Sequence, residues 1–217
     1  MRLLFAIIAF LSLAQTACRE KPTPEASHAA LLQPETATAQ APAVYKAKFI
    51  TTKGEFVIMV RREWSPLGAD RFFHLVQRGY YDNVAMFRAV KGFMVQLGLH
   101  GSPTVNQKWR NAQIQDDPKP KFAQSNKRGY VTFAKAGPNS RTTQFFINFV
   151  DNSRLDPSGF TPFGQVISGM EVVDKINTQY GDAPSGPNQT RILDEGNAYL
   201  DKEFPNLDYV RMATIVD

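Results

Sequence analysis

Short runs of large apolar residues, separated by Gly, Pro and Asn clusters, place the strongest constraint on how this chain folds. They read VAMFRAV, GFMVQLG, GYVTFA, TQFFINFV, FGQVI and VRMATIVD, and the hairpin pattern YKAKFITTKGEFVIMV precedes them. Alternation with a period of two predicts strands, and several runs are apolar on both faces. LGADRFFHLVQRGY and GMEVVDKINTQYG have helical spacing. We therefore predict a mainly β fold, a closed eight-stranded antiparallel barrel capped by two helices.

The available side chains exclude several classes of chemistry. The 217 residues include one Cys and three His, which rules out an internal disulfide and a Cys/His zinc site, and we expect no metal. The net charge is only +5, and the one dense basic stretch, KPKFAQSNKRG, lacks the aromatic interleaving of a single-strand binder. We expect no nucleic-acid partner. The sequence shows no Ser/His/Asp or Cys/His arrangement of the kind that would indicate a nucleophilic hydrolase.

The first residues have the pattern of a secretory signal peptide. Arg2 precedes a twelve-residue apolar run, which is shorter than the roughly 20 residues that span a bilayer. The segment ending at Cys18 resembles the bacterial lipobox, in which a small residue precedes a diacylated Cys. Ala17 fits the lipobox, whereas Gln15 stands where Leu is usual. We predict a signal peptide over 1–17 and lipidation of Cys18. The alternative is an ordinary cleavage site beside a spare Cys.

Residues 18–43 are rich in Ala, Pro, Thr and Glu and poor in aromatic residues. Such a segment buries too little apolar surface to offset its ordering entropy. It is predicted to be a disordered tether that starts at the lipid-bearing Cys18, and 44–217 are predicted to be the folded domain. The organisation predicts an exported, periplasmic protein that is tethered to the membrane through its N-terminal lipid.

In two of the predicted strands, the outward face combines an amide side chain with a large apolar side chain. In TQFFINF, Gln144 and Phe146 share one face, and in GFMVQLG, Met94 and Gln96 do the same. The opposite faces are large and apolar, with Phe145, Ile147 and Phe149 in the first run and Phe93, Val95 and Leu97 in the second. Arg88 is expected to point outward just upstream. Taken alone, these are a surface charge, exposed amides and core residues.

Three segments resemble, in order, motifs of the cyclophilin family of peptidyl-prolyl cis/trans isomerases. FRAVKGFMVQLG is similar to FHRxxPGFMxQGG, FAKAGPNSRTTQFFI to MANxGPNTNGSQFFI, and LDPSGFTPFGQVISGMEVV to LDGxHxVFGxVxxGMxVV. The resemblance covers about residues 45–180 and the last strand. It implies an eight-stranded barrel with two helices and isomerisation of X-Pro bonds. It also implies that no cofactor is needed.

The resemblance also implies roles for individual residues. The catalytic group would be Arg88, Phe93 and Gln96, with Arg88 donating to the imide nitrogen as the bond twists. The substrate-binding residues would grip the proline ring and the flanking peptide, and they are Met94, Ala134, Lys135, Gln144, Phe146, Leu155 and Phe160. The chain departs from the family at Lys91, usually Pro, Lys135, usually Asn, Arg154, often Trp, and Phe160, often His.

The resulting expectation is a monomeric isomerase that acts on proline-containing segments of unfolded or folding exported proteins. The alternative is a binding module or chaperone that holds such segments in the same groove without turnover. A third interpretation is a barrel that encloses a small apolar ligand. The bulky side chains at the interior positions disfavour it. Residues 101–128 and 188–205 do not follow the family pattern and receive no role. Loosely aligned apolar residues predict a helix in the second of these segments.

Overall fold

The computed structural model describes residues 29–118 and 121–217. The predicted signal peptide, Cys18 and the first part of the predicted tether lie outside the described residues, so those expectations stay predictions. Among the described residues, no helix has the length and apolar character that crossing a bilayer requires.

Nine antiparallel strands form one curled sheet, with the order β3-β9-β1-β2-β8-β6-β7-β5-β4. The mainly β prediction is confirmed. The strands are β1 (Val44–Thr51), β2 (Gly54–Arg61), β3 (Val84–Ala85), β4 (Arg88–Val90), β5 (Met94–Leu97), β6 (Tyr130–Phe133), β7 (Phe145–Asn148), β8 (Pro162–Ser168) and β9 (Tyr209–Val216).

The prediction of a closed eight-stranded barrel is wrong in strand number and in closure. The run VAMFRAV was predicted as one strand, but it divides between Ala85 and Arg88 into β3 and β4. β3 pairs with β9, whereas β4 pairs with β5 at the other end of the sheet. The backbone N–H of Met86, between them, donates to Asp208. A covalent connection, and not a hydrogen-bonded ladder, therefore joins the two edges of the sheet.

The part of the chain that the structure describes has more helices than the two capping helices and the helix in 188–205 that were predicted. Residues 29–31 are helical, and the helices with given bounds are α1 (Pro66–Gln77), α2 (Pro103–Trp109), α3 (Met170–Val173), α4 (Gln189–Glu195) and α5 (Asn197–Glu203), with short 3-10 turns at Pro34–Thr36, Arg62–Trp64 and Ser153–Ser158. α1 and α3 correspond to the two predicted helices. The loosely predicted helix in 188–205 is two helices, separated by Gly196 at φ +64°. A Cβ at Gly196 would collide with the carbonyl of Gly101, so the break needs glycine.

Aromatic rings fill the space inside the curled sheet. Phe72 of α1 lies 5.4 Å from Phe145 and 4.8 Å from Phe163, centroid to centroid, and Phe49 stacks on Phe56 at 5.1 Å. A smaller apolar cluster joins Phe87 to α4 and α5 through Ile192, Tyr199 and Leu200. The second cluster fixes the chain just before Arg88.

Residues 29–43 differ from the predicted disordered tether, because they lie against the folded domain. Leu31 and Ala41 are buried. The indole N–H of Trp109 donates to the carbonyl of Leu31 at 2.7 Å, and the backbone N–H of Ala41 donates to Asp70 at 2.9 Å. Composition predicted too little apolar surface for packing. It could not predict that side chains of the domain would satisfy the polar backbone of this segment.

Candidate active site

An open cavity of about 340 Å³ lies on the side of β5 and β7 that faces away from the aromatic core. Its volume is in the range of sites that hold small ligands. The cavity brings together all ten predicted catalytic and substrate-binding residues, which are Arg88, Phe93, Met94, Gln96, Ala134, Lys135, Gln144, Phe146, Leu155 and Phe160.

The strand register explains why three of these residues are neighbours. Arg88 on β4 lies opposite Gln96 on β5, and Gln96 lies opposite Phe146 on β7. Directly opposed residues of antiparallel strands project from the same face of a sheet. One row across three strands thus presents a guanidinium, an amide and an aromatic ring to the cavity.

The polar side chains of the cavity form a chain of hydrogen bonds. Arg88 Nη1 donates to Gln96 Oε1 at 2.9 Å, and Gln96 Nε2 donates to Gln144 Oε1 at 2.8 Å. At the other end, Arg88 Nη2 donates to Asp182 Oδ2 at 2.5 Å. The guanidinium is therefore held from two sides at the edge of the cavity.

Asp182 was not predicted as a site residue. It lies 94 residues after Arg88, in a loop whose Gly181 forms an isolated bridge with Ala89 of β4. The hydrogen bond from Arg88 lowers the pKa of its carboxyl. The Gly and Pro residues around it are typical of a loop. Nothing in the sequence indicated that this loop returns to β4.

Apolar side chains form the remaining wall of the cavity. Met94 and Phe146 are buried, and the ring of Phe146 packs edge-on against Phe160 at 5.9 Å. Leu155, half-buried in the turn Ser153–Ser158, also lines the cavity. The wall offers an apolar recess beside the guanidinium of Arg88.

Period-two alternation misplaced Phe93 on the core face. The residue precedes the first residue of β5, and its backbone N–H donates to the carbonyl of Val90 in a tight turn. Alternation does not extend through such a turn, so the ring faces the cavity. The guanidinium of Arg88 lies 5.9 Å from the ring centroid.

The family model described as cyclophilin type peptidyl-prolyl cis-trans isomerase/CLD matches residues 46–196. The chain belongs to this family.

Similar curated proteins support the same assignment. Peptidyl-prolyl cis-trans isomerase B of Escherichia coli (strain K12) is 35% identical over 136 residues, covering 59% of this chain and 81% of that protein. Human peptidyl-prolyl cis-trans isomerase-like 3 is 34% identical over 129 residues, covering 58% and 78%. A cyclophilin type isomerase structure from Cryptosporidium parvum has a TM-score of 0.59 and 22% identity, covering 80% of this chain and 98% of that chain. The protein is a cyclophilin-type peptidyl-prolyl cis-trans isomerase.

Three of the four departures from the cyclophilin pattern, at Lys135, Arg154 and Phe160, lie in or beside the cavity. Arg154 is exposed, donates to Asn152 Oδ1 at 2.9 Å and places its guanidinium 4.8 Å from the Phe93 ring. It supports Phe93 from outside and does not itself line the cavity. The Lys135 ammonium lies 5.5 Å from the Phe160 ring and 3.3 Å from Asp116. Two cations thus pack on the rings of the cavity wall.

Buried amides that sequence reasoning missed hold this wall in place. Asn152 Nδ2 donates to the carbonyl of Phe93 at 2.9 Å. Asn126 Nδ2 donates to Asp156 at 2.7 Å and to the carbonyl of Phe160 at 2.6 Å. Unpaired buried carbonyls are costly, so these amides fix both aromatic walls.

Four further cavity residues were not predicted, namely Ala136, Ser140, Thr142 and Gln189. Three of them lie within or directly beside the segment AKAGPNSRTTQ, where the motif itself was a usable signal. Gln189 begins α4, which has no counterpart in the family pattern. Among residues 29–118 and 121–217, no group of three His, Cys, Asp or Glu side chains could hold a metal ion.

Proposed function

We propose that the cavity is the isomerase active site of this cyclophilin and that Arg88 is its catalytic donor. The observation that carries the proposal is the position of Arg88, held by Gln96 and Asp182 beside an apolar recess. An apolar recess suits a proline ring, and a fixed guanidinium suits the charge that develops next to it.

The chemistry of the X-Pro bond explains why these groups suffice. Amide resonance opposes rotation with a barrier of about 18–20 kcal/mol. As the bond twists, the imide nitrogen becomes pyramidal and regains a lone pair. A guanidinium N–H directed at that nitrogen binds the twisted bond more strongly than either planar isomer, which lowers the barrier. No covalent intermediate and no proton transfer is needed.

The remaining residues of the cavity hold the substrate while one side of the bond turns. Met94, Phe146, Leu155 and Phe160 would receive the proline ring, with Phe93 closing one wall. Gln144 and Gln96 would orient the flanking peptide. Ala134 and Lys135 follow β6 along the cavity and would pair with the peptide backbone.

Proline-containing segments of unfolded or folding exported proteins are the proposed substrates. A second Cryptosporidium parvum cyclophilin structure, described as in the presence of the dipeptide Ala-Pro, has a TM-score of 0.57 and 23% identity to this chain. The cavity is open to solvent, which suits a peptide that continues on both sides of the proline. The enzyme is proposed to act as a monomer.

The proposed location is the periplasmic side of a bacterial membrane, with Cys18 as the lipid-bearing first residue. The support is the sequence pattern of 1–18. Two or more acyl chains would give a stable anchor, whereas one holds only marginally. Mass spectrometry of the mature N-terminal peptide tests this, with Cys18→Ser as the control. An unmodified N-terminus downstream of Cys18 would refute lipidation.

The test of the catalytic role is Arg88→Ala, followed by NMR exchange spectroscopy of a short proline-containing peptide. Loss of one transition-state donor costs about 100- to 1,000-fold in turnover, whereas peptide affinity should change little. Lys should not substitute well, because its ammonium lacks the planar fork. Circular dichroism melting controls for folding. Near wild-type exchange with unchanged melting would overturn the mechanism and favour a binding module.

A further inference from the structure

We propose that Asp182 is a positioning residue for Arg88. Asp182 affects turnover only by fixing the orientation of the Arg88 guanidinium. The inference rests on the proposed role of Arg88. It assigns a function to the loop 181–188, which precedes α4 and follows the second predicted helix.

The Asp182 carboxylate is itself held in place. Oδ2 accepts from Arg88 Nη2 at 2.5 Å, and Oδ1 accepts from the backbone N–H of Ala183 at 2.8 Å. The Asp182 carbonyl accepts from the backbone N–H of Gly186 at 2.9 Å. The bridge between Gly181 and Ala89 attaches the loop to β4 one residue from Arg88. A carboxylate fixed in this way can define the position of its partner.

The guanidinium needs a second holding group because one of its donors is unsatisfied. Arg88 Nε is buried and has no hydrogen-bond partner among the described residues. A buried donor without an acceptor is costly, so a guanidinium held only by Gln96 would gain by turning to satisfy Nε. Asp182 holds the other end of the fork. With Nη1 on Gln96 and Nη2 on Asp182, rotation of the plane is opposed at both ends.

Asp182 lies outside the main cavity, which separates it from the substrate. A second cavity of about 200 Å³ is lined mainly by the loop 181–188 and the start of α4, and it shares Arg88 and Gln189 with the first. Asp182 lines the second cavity and not the first. Arg88 lines both cavities, so the carboxylate is placed to act on the reaction through Arg88.

An ordinary surface ion pair is the competing explanation, and the chain provides a matched example. Arg128 Nη2 lies 2.7 Å from Asp174 Oδ2, and the side chains are 48% and 42% exposed, against 26% and 49% for Arg88 and Asp182. Neither Arg128 nor Asp174 lines the cavity. Exposed ion pairs contribute little to stability. The two pairs should therefore differ in their effect on turnover, with similarly small effects on melting.

The experiment compares Asp182→Ala, Asp182→Asn and the control Asp174→Ala in the full chain, with kcat and KM from peptide exchange. Misplacing a reacting group by about 1 Å costs up to about 100-fold. We expect Asp182→Ala to lower kcat about tenfold with little change in KM. Asp182→Asn keeps an oxygen acceptor of the same shape and should retain most activity. Asp174→Ala should match wild type.

A double-mutant cycle with Arg88→Ala decides between acting through Arg88 and acting on the substrate. In the Arg88→Ala background, Asp182→Ala should cause no further loss. The Arg88 Nε–Hε resonance should shift or broaden in Asp182→Ala and stay unchanged in Asp174→Ala. These results would support positioning.

Three outcomes would overturn the proposal. The first is a kcat of Asp182→Ala equal to that of wild type, and the second is an equal loss of kcat from Asp182→Ala with and without Arg88. The third is a kcat that rises in both Asp182 variants, because a rise would mean that the Asp182 charge only weakens the Arg88 donor. In each of these cases the activity of the single variant Arg88→Ala still tests the proposed catalytic role of Arg88 separately. Full activity of Arg88→Ala would instead remove the proposed function on which this inference rests.

Discussion

Strands β5 and β7 present two faces that are equally buried and yet differ in use. Val95 and Phe145 on the inner face are fully enclosed by the core. Gln96 and Phe146, their direct neighbours in sequence, are at most 6% exposed but face the cavity. The inner face is filled by contacts among apolar groups. The outer face is held by hydrogen bonds and left open, so burial alone does not distinguish a core from a binding site.

The largest test of this contrast is the neighbouring pair Phe145→Ala and Phe146→Ala. Phe145 packs against several core rings, among them Tyr81 at 5.1 Å and Phe72 at 5.4 Å. Truncating a buried Phe typically costs about 3–5 kcal/mol, because the core cannot collapse into the space. We expect Phe145→Ala to lower the free energy of unfolding by about that amount.

Phe146→Ala should cost less stability, because its ring borders a cavity that already exists. It packs edge-on against Phe160 at 5.9 Å. Affinity for a proline-containing peptide should fall in this variant, and urea denaturation together with peptide titration measures both quantities. Equal losses of stability in the two variants would contradict the division of β7 into a core face and a site face.

Much of this contrast could be predicted from the sequence, because strands impose a period of two. Alternation in TQFFINF separated Phe145 from Phe146 correctly. The same rule failed at Phe93, where a turn interrupts the strand, and at VAMFRAV, where one apolar run serves two ends of the sheet. Local pattern carries no information about which partner strand each half of a run will meet.

The polar part of the site was harder to predict than the apolar part. Arg88, Gln96 and Gln144 could be proposed only from the family resemblance, since single polar residues on strands are common. Asp182 had no signal, because its contact depends on how a distant loop folds back onto β4. The packing of residues 29–43 likewise depends on side chains of the domain and not on the composition of the segment.

The next largest effect tests whether hydrogen bonds organise the outer face. Gln96→Leu keeps the approximate volume and removes both the acceptor for Arg88 Nη1 and the donor to Gln144. We expect kcat to fall about tenfold, which corresponds to about 1.4 kcal/mol in the barrier. Stability should fall modestly, since buried polar groups lose partners.

Gln165→Leu is the control for Gln96→Leu. Gln165 lies on β8 and does not line the cavity. It should leave the exchange rate of the peptide unchanged. A Gln96→Leu enzyme with the turnover of this control would mean that Arg88 is sufficiently held without the amide chain, and that the outer face needs only its apolar recess.

The smallest predicted effect is a change of stability with pH. The apolar inner face of β5 and β7 does not contribute to this change. His74 on α1 forms a 2.6 Å hydrogen bond with the carbonyl of Ala39, in the segment that packs on the domain. Burial lowers the pKa of His74 from its ordinary value of 6.5, and the charges of Arg78 and Arg71 lower it further. The Ala39 carbonyl and Asp70 act in the opposite direction without reversing the shift.

Because the unfolded chain binds a proton at His74 more readily than the folded one, stability should be complete above about pH 6.5. It should decrease as the pH falls below that value, towards the lower pKa of the folded state. Urea denaturation of wild type and His74→Gln at pH 7.5 and 5.5 isolates the contribution of this residue, since every other titrating group is common to both proteins. Gln can still donate to the Ala39 carbonyl, so its stability should fall less over this interval. Equal losses of unfolding free energy in the two proteins would show that His74 has the same pKa in the folded and unfolded states. The packing of residues 29–43 on the domain would then be as insensitive to pH as the core.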